Sequence, residues 1–302
     1  MKWQGVFPAI TTPFRPDLSV DHEFLKTHVD RLVSAGCSGL VPLGSLGEAA
    51  TLETSEKLAI LETCVRALDG RVPLVPGIAA LSTAQAVELA RFAAAAGASG
   101  VMVLPPWVYR GDWRETEAHV RAVMDATDLP CMLYNNPIAY DTDVTPEQIE
   151  SLARAAGNLA AVKESSGDVR RITAIRERLG DRLAVFVGVD DLILEGIAAG
   201  AVGWIAGLVD ALPEESVRLF EHAAAGRREE ARRIYEWFLP LLRLDTVPKF
   251  VQLIKLVQAQ VGLGSETVRP PRLELQGAER EDVLALVAER LRSRPSAPDA
   301  RR

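Results

Sequence analysis

The sequence predicts an α/β fold in which a parallel sheet closes into a TIM, or (β/α)8, barrel followed by a C-terminal helical appendage. Three segments share one sequence pattern: a glycine ends a helix, and a second glycine, three residues later, begins a buried apolar strand. These segments are residues 36–43, 97–104 and 200–205. Continuous apolar strands that alternate with amphipathic helices are typical of a parallel sheet covered by helices.

Eight such strand units are predicted, and that number favours closure into a barrel. A doubly wound open sheet is the alternative, but no Gly-x-Gly-x-x-Gly motif opens the first helix, which counts against a dinucleotide site. The predicted strands are residues 5–11, 39–43, 72–75, 100–104, 130–134, 159–163, 183–187 and 203–206. The most periodic helices between them are residues 23–35, 55–68, 83–96 and 113–127.

The chain after the eighth strand predicts helices only. We expect a barrel domain over residues 1–225, a helical region over 226–292, and a disordered tail over 293–302, which is polar and rich in proline. Within the helical region, the predicted helices are a charged helix from residue 226, a helix over 239–260 and a last helix near 280–291.

Composition and charge favour a small-molecule ligand. The 302 residues are 48% apolar and 25% charged, with a net charge of −7 and a pI near 5.3, which argues against nucleic acid or an anionic membrane as partner. Cys37, Cys64 and Cys131 are widely spaced and lack a Cys-x-x-Cys pair, so neither a disulfide framework nor a thiolate metal site is indicated. Without the apolar core of a signal peptide near Met1, we expect a cytoplasmic protein.

Lys163 ends the sixth predicted strand and opens a polar turn. A free lysine has a pKa of about 10.4, so roughly one in 2,500 is neutral at pH 7. Burial at a strand end lowers that pKa, and the neutral amine is then a nucleophile that forms a Schiff base with a carbonyl substrate. The alternative is a lysine whose ammonium group reaches solvent from the strand end.

Other chemical groups follow neighbouring strands, and in a barrel these positions converge on one mouth. Tyr134 ends the fifth strand and Gly188 follows the seventh. Ser45 follows the second strand in the turn Gly44-Ser-Leu-Gly-Glu48, whose hydroxyl and backbone N–H groups are donors suited to a small carboxylate. Tyr134 beside a neutral lysine would shuttle protons, or would serve only to hydrogen-bond a loop.

The whole chain resembles the dihydrodipicolinate synthase and N-acetylneuraminate lyase family of class I aldolase-like enzymes. The resemblance runs from residue 3 to about 291. It is carried by Gly5-Val-Phe-Pro-Ala-Ile-Thr-Thr-Pro-Phe14, Gly44-Ser-Leu-Gly-Glu48, Tyr134-Asn-Asn-Pro137, Val162-Lys-Glu-Ser-Ser-Gly167, Gly200-Ala-Val-Gly203 and Val268-Arg-Pro-Pro271.

The resemblance implies a TIM barrel, a homotetramer, and a lysine Schiff-base mechanism without a cofactor. It implies Lys163 as the Schiff-base lysine and Tyr134 as the adjacent acid and base. The turn at Gly44, with the Ser45 hydroxyl and the Leu46 amide, would hold the carboxylate of a 2-oxo acid. Backbone groups near Gly188 and Ile205 would line the pocket.

Three departures from the family pattern narrow the activity. Dihydrodipicolinate synthases have an arginine where this chain has Ala139, and the tyrosine that a neighbouring subunit contributes aligns with Val108. Trp107 and Tyr109 flank Val108 and are candidates to replace that tyrosine. Leu46 stands where the family has a hydroxyl, so lysine biosynthesis is disfavoured.

The Gly-Ser-Leu-Gly-Glu and Tyr-Asn-Asn-Pro motifs, together with the segment from Tyr235 to Asp245, are most similar to the 1-pyrroline-4-hydroxy-2-carboxylate deaminases of this family. In that reaction Lys163 would attack C2 of the cyclic imine, the 4-hydroxyl would leave as water, and hydrolysis would release ammonia and 2,5-dioxopentanoate. Asn136 is a candidate partner for the substrate hydroxyl, although Asn before Pro is also common turn chemistry.

Two rival functions differ in kind. An aldolase or dehydratase of 2-keto-3-deoxy sugar acids would use the same lysine without releasing nitrogen, and a sensor would bind a 2-oxo acid without turnover. The four histidines show no metal-ligand spacing, so we expect no metal. Asp190 and Asp191 are expected to cap the helix that follows them.

Overall fold

The computed structural model describes residues 1–106 and 108–295, and within these the centre of the protein is a curled parallel sheet of seven strands. The strand order is β1-β7-β6-β5-β4-β3-β2. The strands are β1 (Gly5–Pro8), β2 (Gly77–Ile78), β3 (Val101–Val103), β4 (Cys131–Asn135), β5 (Leu159–Glu164), β6 (Ala184–Val187) and β7 (Gly203–Ala206).

Helices cover the outer face of this sheet, as the alternating pattern predicts. The helices are α1 (His22–Ser34), α2 (Thr54–Leu68), α3 (Thr83–Ala95), α4 (Trp113–Met124), α5 (Pro137–Tyr140), α6 (Pro146–Ala155), α7 (Arg170–Leu179), α8 (Ile193–Ala198), α9 (Pro213–Ala224), α10 (Arg228–Leu242), α11 (Phe250–Gln260) and α12 (Gly277–Arg292). No helix in the described part of the chain is long and apolar enough to span a bilayer.

The segment predicted as a second strand, residues 39–43, does not form a continuous strand. It nevertheless lies between the two edge strands, because the Val41 N–H donates to the Pro8 carbonyl over 2.8 Å and the Val75 N–H donates to the Leu40 carbonyl over 2.8 Å. The interruption has a local cause: Pro42 has no N–H, so it cannot donate a hydrogen bond to a ladder.

The third predicted strand, residues 72–75, is displaced to Gly77–Ile78. Pro73 and Pro76 remove ladder donors on both sides of Leu74, which keeps only an isolated parallel bridge with Leu40. Apolarity alone therefore placed this strand several residues too early.

The structure confirms the pattern of paired glycines in the three similar segments. The first glycine of each segment has a positive φ that favours glycine, 97° at Gly36, 97° at Gly97 and 104° at Gly200. The second glycine makes room for a neighbour. A Cβ on Gly203 would lie 2.2 Å from the Phe186 ring, and one on Gly39 would lie 2.5 Å from the Phe7 ring.

These aromatic rings fill one end of the concave face. The Phe7 and Phe186 rings contact edge to face with centroids 5.2 Å apart, and Trp3 packs against both. Because this end is filled, the open end of the sheet lies at the carboxyl ends of the strands.

The predicted helix over residues 239–260 is wrong, because the chain breaks between α10 and α11. Residues 243–246 form a 3-10 helix, and Val247 adopts an extended conformation before Pro248, since the residue before a proline disfavours the helical region. The break directs residues 245–248 to the open end of the sheet, where they line a cavity.

A buried ion pair ties α11 to the turn after residue 43. The Lys255 ammonium, 2% exposed, donates to Glu48 Oε1 over 2.6 Å and to the Thr267 carbonyl over 2.8 Å. The other Glu48 oxygen accepts from the Arg269 N–H over 3.1 Å. Each charge therefore has partners in place of water.

We predict that Lys255→Met lowers the free energy of unfolding by about 3 kcal/mol, because it removes the ammonium at 2.6 Å and leaves the buried Glu48 carboxylate with the more distant guanidinium of Arg272 at 3.8 Å. Urea unfolding of the purified variant measures this loss. Lys249→Met is the matched control, since it removes an exposed pair with Glu279 and should cost less than about 1 kcal/mol. Equal losses in the two variants would contradict the prediction.

Candidate active site at the carboxyl ends of the strands

Lys163 and Tyr134 form the centre of the site. They are register partners on β5 and β4, so their side chains lie on the same face of the sheet. Both are buried, and the Lys163 Nζ lies 4.1 Å from the centroid of the Tyr134 ring. The alternative of a lysine that reaches solvent is therefore wrong.

Burial lowers the pKa of Lys163, since the charged form loses its water. The carboxylates of Asp245 and Asp190 and the Tyr140 phenol oppose this shift without reversing it. In the described structure, no carboxylate lies within salt-bridge distance of the Lys163 amine. Burial therefore increases the share of the neutral amine, which is the nucleophilic form.

Gly188 is needed for the position of the lysine. A Cβ at residue 188 would lie 2.7 Å from both Cγ and Cε of Lys163 and 2.0 Å from the Ser165 hydroxyl. Since Gly188 follows β6 directly, a bare backbone on the neighbouring strand end leaves the space through which the lysine side chain passes. Gly188 is one of the predicted pocket residues, and its packing role is visible only in the structure.

The turn at Gly44, Ser45 and Leu46 forms one wall of the site. The Ser45 hydroxyl is hydrogen-bonded to the Tyr140 hydroxyl. The Leu46 side chain is buried, so this wall offers one hydroxyl and an apolar side chain. Glu48 follows in the left-handed conformation with a φ of 52°, which turns its carboxylate toward Lys255.

These groups enclose a cavity of about 460 Å³. That volume is within the range of small-molecule sites. The predicted site residues that line it are Gly44, Ser45, Leu46, Tyr134, Asn136, Lys163, Gly188 and Ile205. The structure thus brings together groups from the ends of β4, β5, β6 and β7 and from the turn that follows residue 43.

The Tyr134 hydroxyl is positioned by Asn136. The Asn136 side-chain N–H donates to it over 2.9 Å, while the Asn136 side-chain oxygen accepts from the Ala139 N–H over 3.1 Å and caps α5. Burial raises the pKa of Tyr134, so the phenol holds its proton at neutral pH. The turn role considered for Asn136 is present in the structure, and its amide also orients the tyrosine.

Asp190 does not cap the helix that follows it, so that expectation is wrong. Its carboxylate instead accepts from the Trp204 indole N–H over 3.1 Å, the Gly207 N–H over 3.1 Å and the Leu208 N–H over 2.9 Å. Burial raises its pKa to about 6, and these donors work against the shift. Asp190 fixes the turn after β7 beneath the cavity.

Three cavity residues were not assigned to the site from sequence. Tyr140 packs edge to face on Tyr134 with ring centroids 5.8 Å apart. Arg272 brings a guanidinium 3.8 Å from the Glu48 carboxylate, and Asp245 brings a carboxyl group from the break after α10. Arg272 directly follows the motif Val268-Arg-Pro-Pro271, and Asp245 ends the segment that begins at Tyr235. These two family motifs were the features of the sequence that could have indicated both residues.

Val108 and its neighbour Tyr109, at the position that aligns with the tyrosine of a neighbouring subunit, do not line the cavity. Val108 is 75% exposed, and Tyr109 is 60% exposed and donates its hydroxyl to Glu115. Trp107 lies outside the described residues. Ala139 lines the cavity without contributing a charge. Within the described ranges, no three His, Cys, Asp or Glu side chains are grouped to hold a metal ion.

We predict that Gly188→Ala removes the reactivity of Lys163, because the added methyl group would occupy the path of the lysine side chain. Borohydride reduction in the presence of pyruvate, followed by intact mass measurement, reports the reactive amine as a covalent adduct. Gly157→Ala is the matched control, since nothing lies within 4 Å of its added Cβ. An undiminished adduct in Gly188→Ala would refute the packing argument.

We also predict the pH dependence of that adduct. Only the neutral amine attacks a carbonyl, so the rate rises with pH and becomes constant once the lysine has lost its proton. Because burial lowers the pKa of Lys163, the constant region should begin well below the value of about 10.4 for free lysine. N-acetyl-lysine amide is the reference amine, and a rate that keeps rising to about pH 10 would contradict the prediction.

Comparison with known proteins places the chain in a family. Residues 2–290 match the dihydrodipicolinate synthetase family. A 4-hydroxy-tetrahydrodipicolinate synthase from Sorangium cellulosum is 36% identical over 280 residues, which cover 92% of this chain and 93% of that protein. One from Pelobacter propionicus is 32% identical over 289 residues, covering 94% and 98%.

Solved structures support the same family assignment. Dihydrodipicolinate synthase from Aquifex aeolicus has a TM-score of 0.91 at 27% identity, covering 95% of this chain and 98% of its own. YagE from E. coli K12, a member of the same family solved in complex with pyruvate, has a TM-score of 0.90 at 26% identity, covering 96% and 99%. The chain therefore belongs to the dihydrodipicolinate synthetase family and is a lysine Schiff-base (class I) lyase.

Proposed function

We propose that Lys163 forms the Schiff base and that the protein deaminates 1-pyrroline-4-hydroxy-2-carboxylate to 2,5-dioxopentanoate and ammonia. The observation that carries the Schiff-base role is the buried Lys163 amine 4.1 Å from the centre of the Tyr134 ring, inside a cavity of small-molecule size. A neutral amine beside a protonated phenol is the pair that carbinolamine formation and breakdown require.

The proposed reaction uses the walls of the cavity as follows. The Ser45 hydroxyl and the Leu46 N–H hold the substrate carboxylate, which sets C2 of the ring beside the Lys163 amine. Attack at C2 opens the ring and leaves an imine between the lysine and C2. Loss of a proton from C3 and of the 4-hydroxyl as water is followed by hydrolysis, which releases ammonia from C5. One water is consumed overall.

Two features support a substrate with a single carboxylate. Ala139 stands where the synthases have an arginine, and Leu46 gives the carboxylate turn an apolar side chain. The remaining cation of the cavity, Arg272, lies 3.8 Å from Glu48, so its charge is already partly balanced. The negative charge of a second substrate carboxylate would be less well balanced here than in a site that has an additional arginine.

The second candidate is 4-hydroxy-tetrahydrodipicolinate synthase, because the curated relatives carry that name. Against it stands Val108, exposed on the surface at the position that aligns with the relay tyrosine. A third candidate is an aldolase or dehydratase of 2-keto-3-deoxy sugar acids, which would use the same lysine. The complex of YagE with pyruvate is consistent with 2-oxo acid binding in this fold. A sensor that binds a 2-oxo acid without turnover is not favoured, since the chain is a lyase.

The wider organisation is also proposed. Residues 39–43 would take the place of the eighth strand between β1 and β2, completing the (β/α)8 barrel, with residues 1–225 as the barrel domain and 226–292 as the helical region. A cytoplasmic homotetramer is the arrangement that the family resemblance implies. In such an assembly, Trp107 or Tyr109 would reach a neighbouring site.

We predict that the purified protein releases ammonia from 1-pyrroline-4-hydroxy-2-carboxylate and that Lys163→Ala abolishes this release, because no other group supplies the imine nitrogen. A coupled glutamate dehydrogenase assay measures the ammonia. Lys57→Ala is the matched control, since Lys57 is a half-buried lysine of α2 away from the cavity.

Ammonia release that survives Lys163→Ala would overturn the lysine mechanism. No ammonia from the unaltered protein would overturn the deaminase proposal. Condensation of pyruvate with aspartate semialdehyde would then identify a synthase, and cleavage or dehydration of a 2-keto-3-deoxy sugar acid would identify the third candidate.

A further inference from the structure

Asp245 reaches the cavity from outside the sheet. It belongs to the 3-10 helix of residues 243–246, in the break between α10 and α11, and it lines the same cavity as Lys163. Its Oδ1 lies 2.2 Å from the point where a Cβ on Gly207 would stand. The carboxyl group therefore rests on the bare backbone that follows β7, and only a glycine there leaves it room.

The Asp245 carboxyl has no hydrogen-bond partner or salt bridge among the described residues. This distinguishes it from Asp190, whose oxygens accept three N–H groups. The residue is half-buried, and its carboxyl group lies at the wall of the cavity. An unpartnered carboxyl group at the wall of a ligand cavity has its hydrogen-bonding capacity available for the ligand.

The groups that face this carboxyl favour its neutral form. Burial raises the pKa of Asp245 well above its ordinary value, and the charge of Asp190 raises it further, as do Asp210 and Asp191, while Lys163 opposes the shift. Burial also lowers the pKa of Lys163, which reduces the share of the charged amine that opposes the shift. A protonated Asp245 is a hydrogen-bond donor.

Asp245 and Tyr134 approach Lys163 from different sides. In the sheet, β4 borders β5 on one side, whereas β7 lies beyond β6 on the other. Tyr134 therefore contacts the lysine from the β4 side, and the Asp245 carboxyl lies against Gly207, which follows β7. A substrate bound through C2 to Lys163 would have its distal atoms available to a group on that second side.

We propose that Asp245 is the general acid that protonates the departing 4-hydroxyl of the Lys163-bound substrate, a role that rests on the proposed deaminase function. Once C3 has lost a proton, the enamine electron pair forms the C3=C4 bond as the C4–O bond breaks. The carboxyl proton of Asp245 passes to the departing oxygen, and water leaves. Asp245 is left as a carboxylate, which regains a proton from water or from C5 in the isomerisation that follows.

Asp245→Asn keeps the shape of the side chain and removes the acid. We expect kcat for ammonia release to fall about 10²- to 10⁴-fold, the usual contribution of a general acid. Borohydride trapping of Lys163 by pyruvate should remain as in the unaltered protein, because Schiff-base formation does not need this proton. Asp181→Asn is the matched control, since Asp181 is an exposed aspartate that pairs with the Arg176 guanidinium over 2.8 Å and does not line the cavity.

A 4-chloro analogue of the substrate separates acid catalysis from a structural role. Chloride leaves without a proton, so Asp245→Asn should release chloride at a rate within about threefold of the unaltered protein while ammonia release from the 4-hydroxy substrate is lost. Equal loss with both substrates would overturn the proposal, as would full ammonia release by Asp245→Asn. If the unaltered protein releases no ammonia from the 4-hydroxy substrate, the proposed function itself fails and this role of Asp245 fails with it.

Discussion

Desolvation of the Lys163 amine governs how the groups around the cavity are arranged. Lys163 is 7% exposed, and burial lowers its pKa. A neighbouring carboxylate in direct contact would restore the charged form, because an opposite charge at about 4 Å favours it. The Tyr134 ring and the bare backbone of Gly188 instead enclose the side chain with groups that carry no full charge.

Three buried carboxylates around the site are consistent with that constraint, because each has partners other than the lysine. Glu48 is neutralised by Lys255, and Asp190 is bound by the Trp204 indole and backbone N–H groups. Glu164, the residue after Lys163, accepts from the Asn135 amide over 3.1 Å and from the Ser166 N–H over 2.7 Å. Alternation along β5 turns Glu164 to the opposite face, so its charge does not meet the amine.

The parts of the site that sequence predicts are those set by local pattern. Lys163, Tyr134 and the turn at Ser45 follow apolar strands directly, and the ends of parallel strands converge whatever the loops do. Asp245 and Arg272 come from segments whose positions depend on how the C-terminal helices pack. His28 shows the same limit: it is buried against Asp210 at 3.0 Å, 182 residues away, and nothing in its sequence surroundings indicated this partner.

The C-terminal helices are part of the site for a geometric reason. A parallel sheet supplies groups only at the rim of its open end, so a substrate bound there would remain open to water on its far side. The break before Pro248 turns residues 245–248 back over that rim, and the Lys255–Glu48 pair fixes α11, which follows the break, to the wall that holds Ser45. The stability of the helical region and the shape of the catalytic cavity are therefore coupled through one buried ion pair.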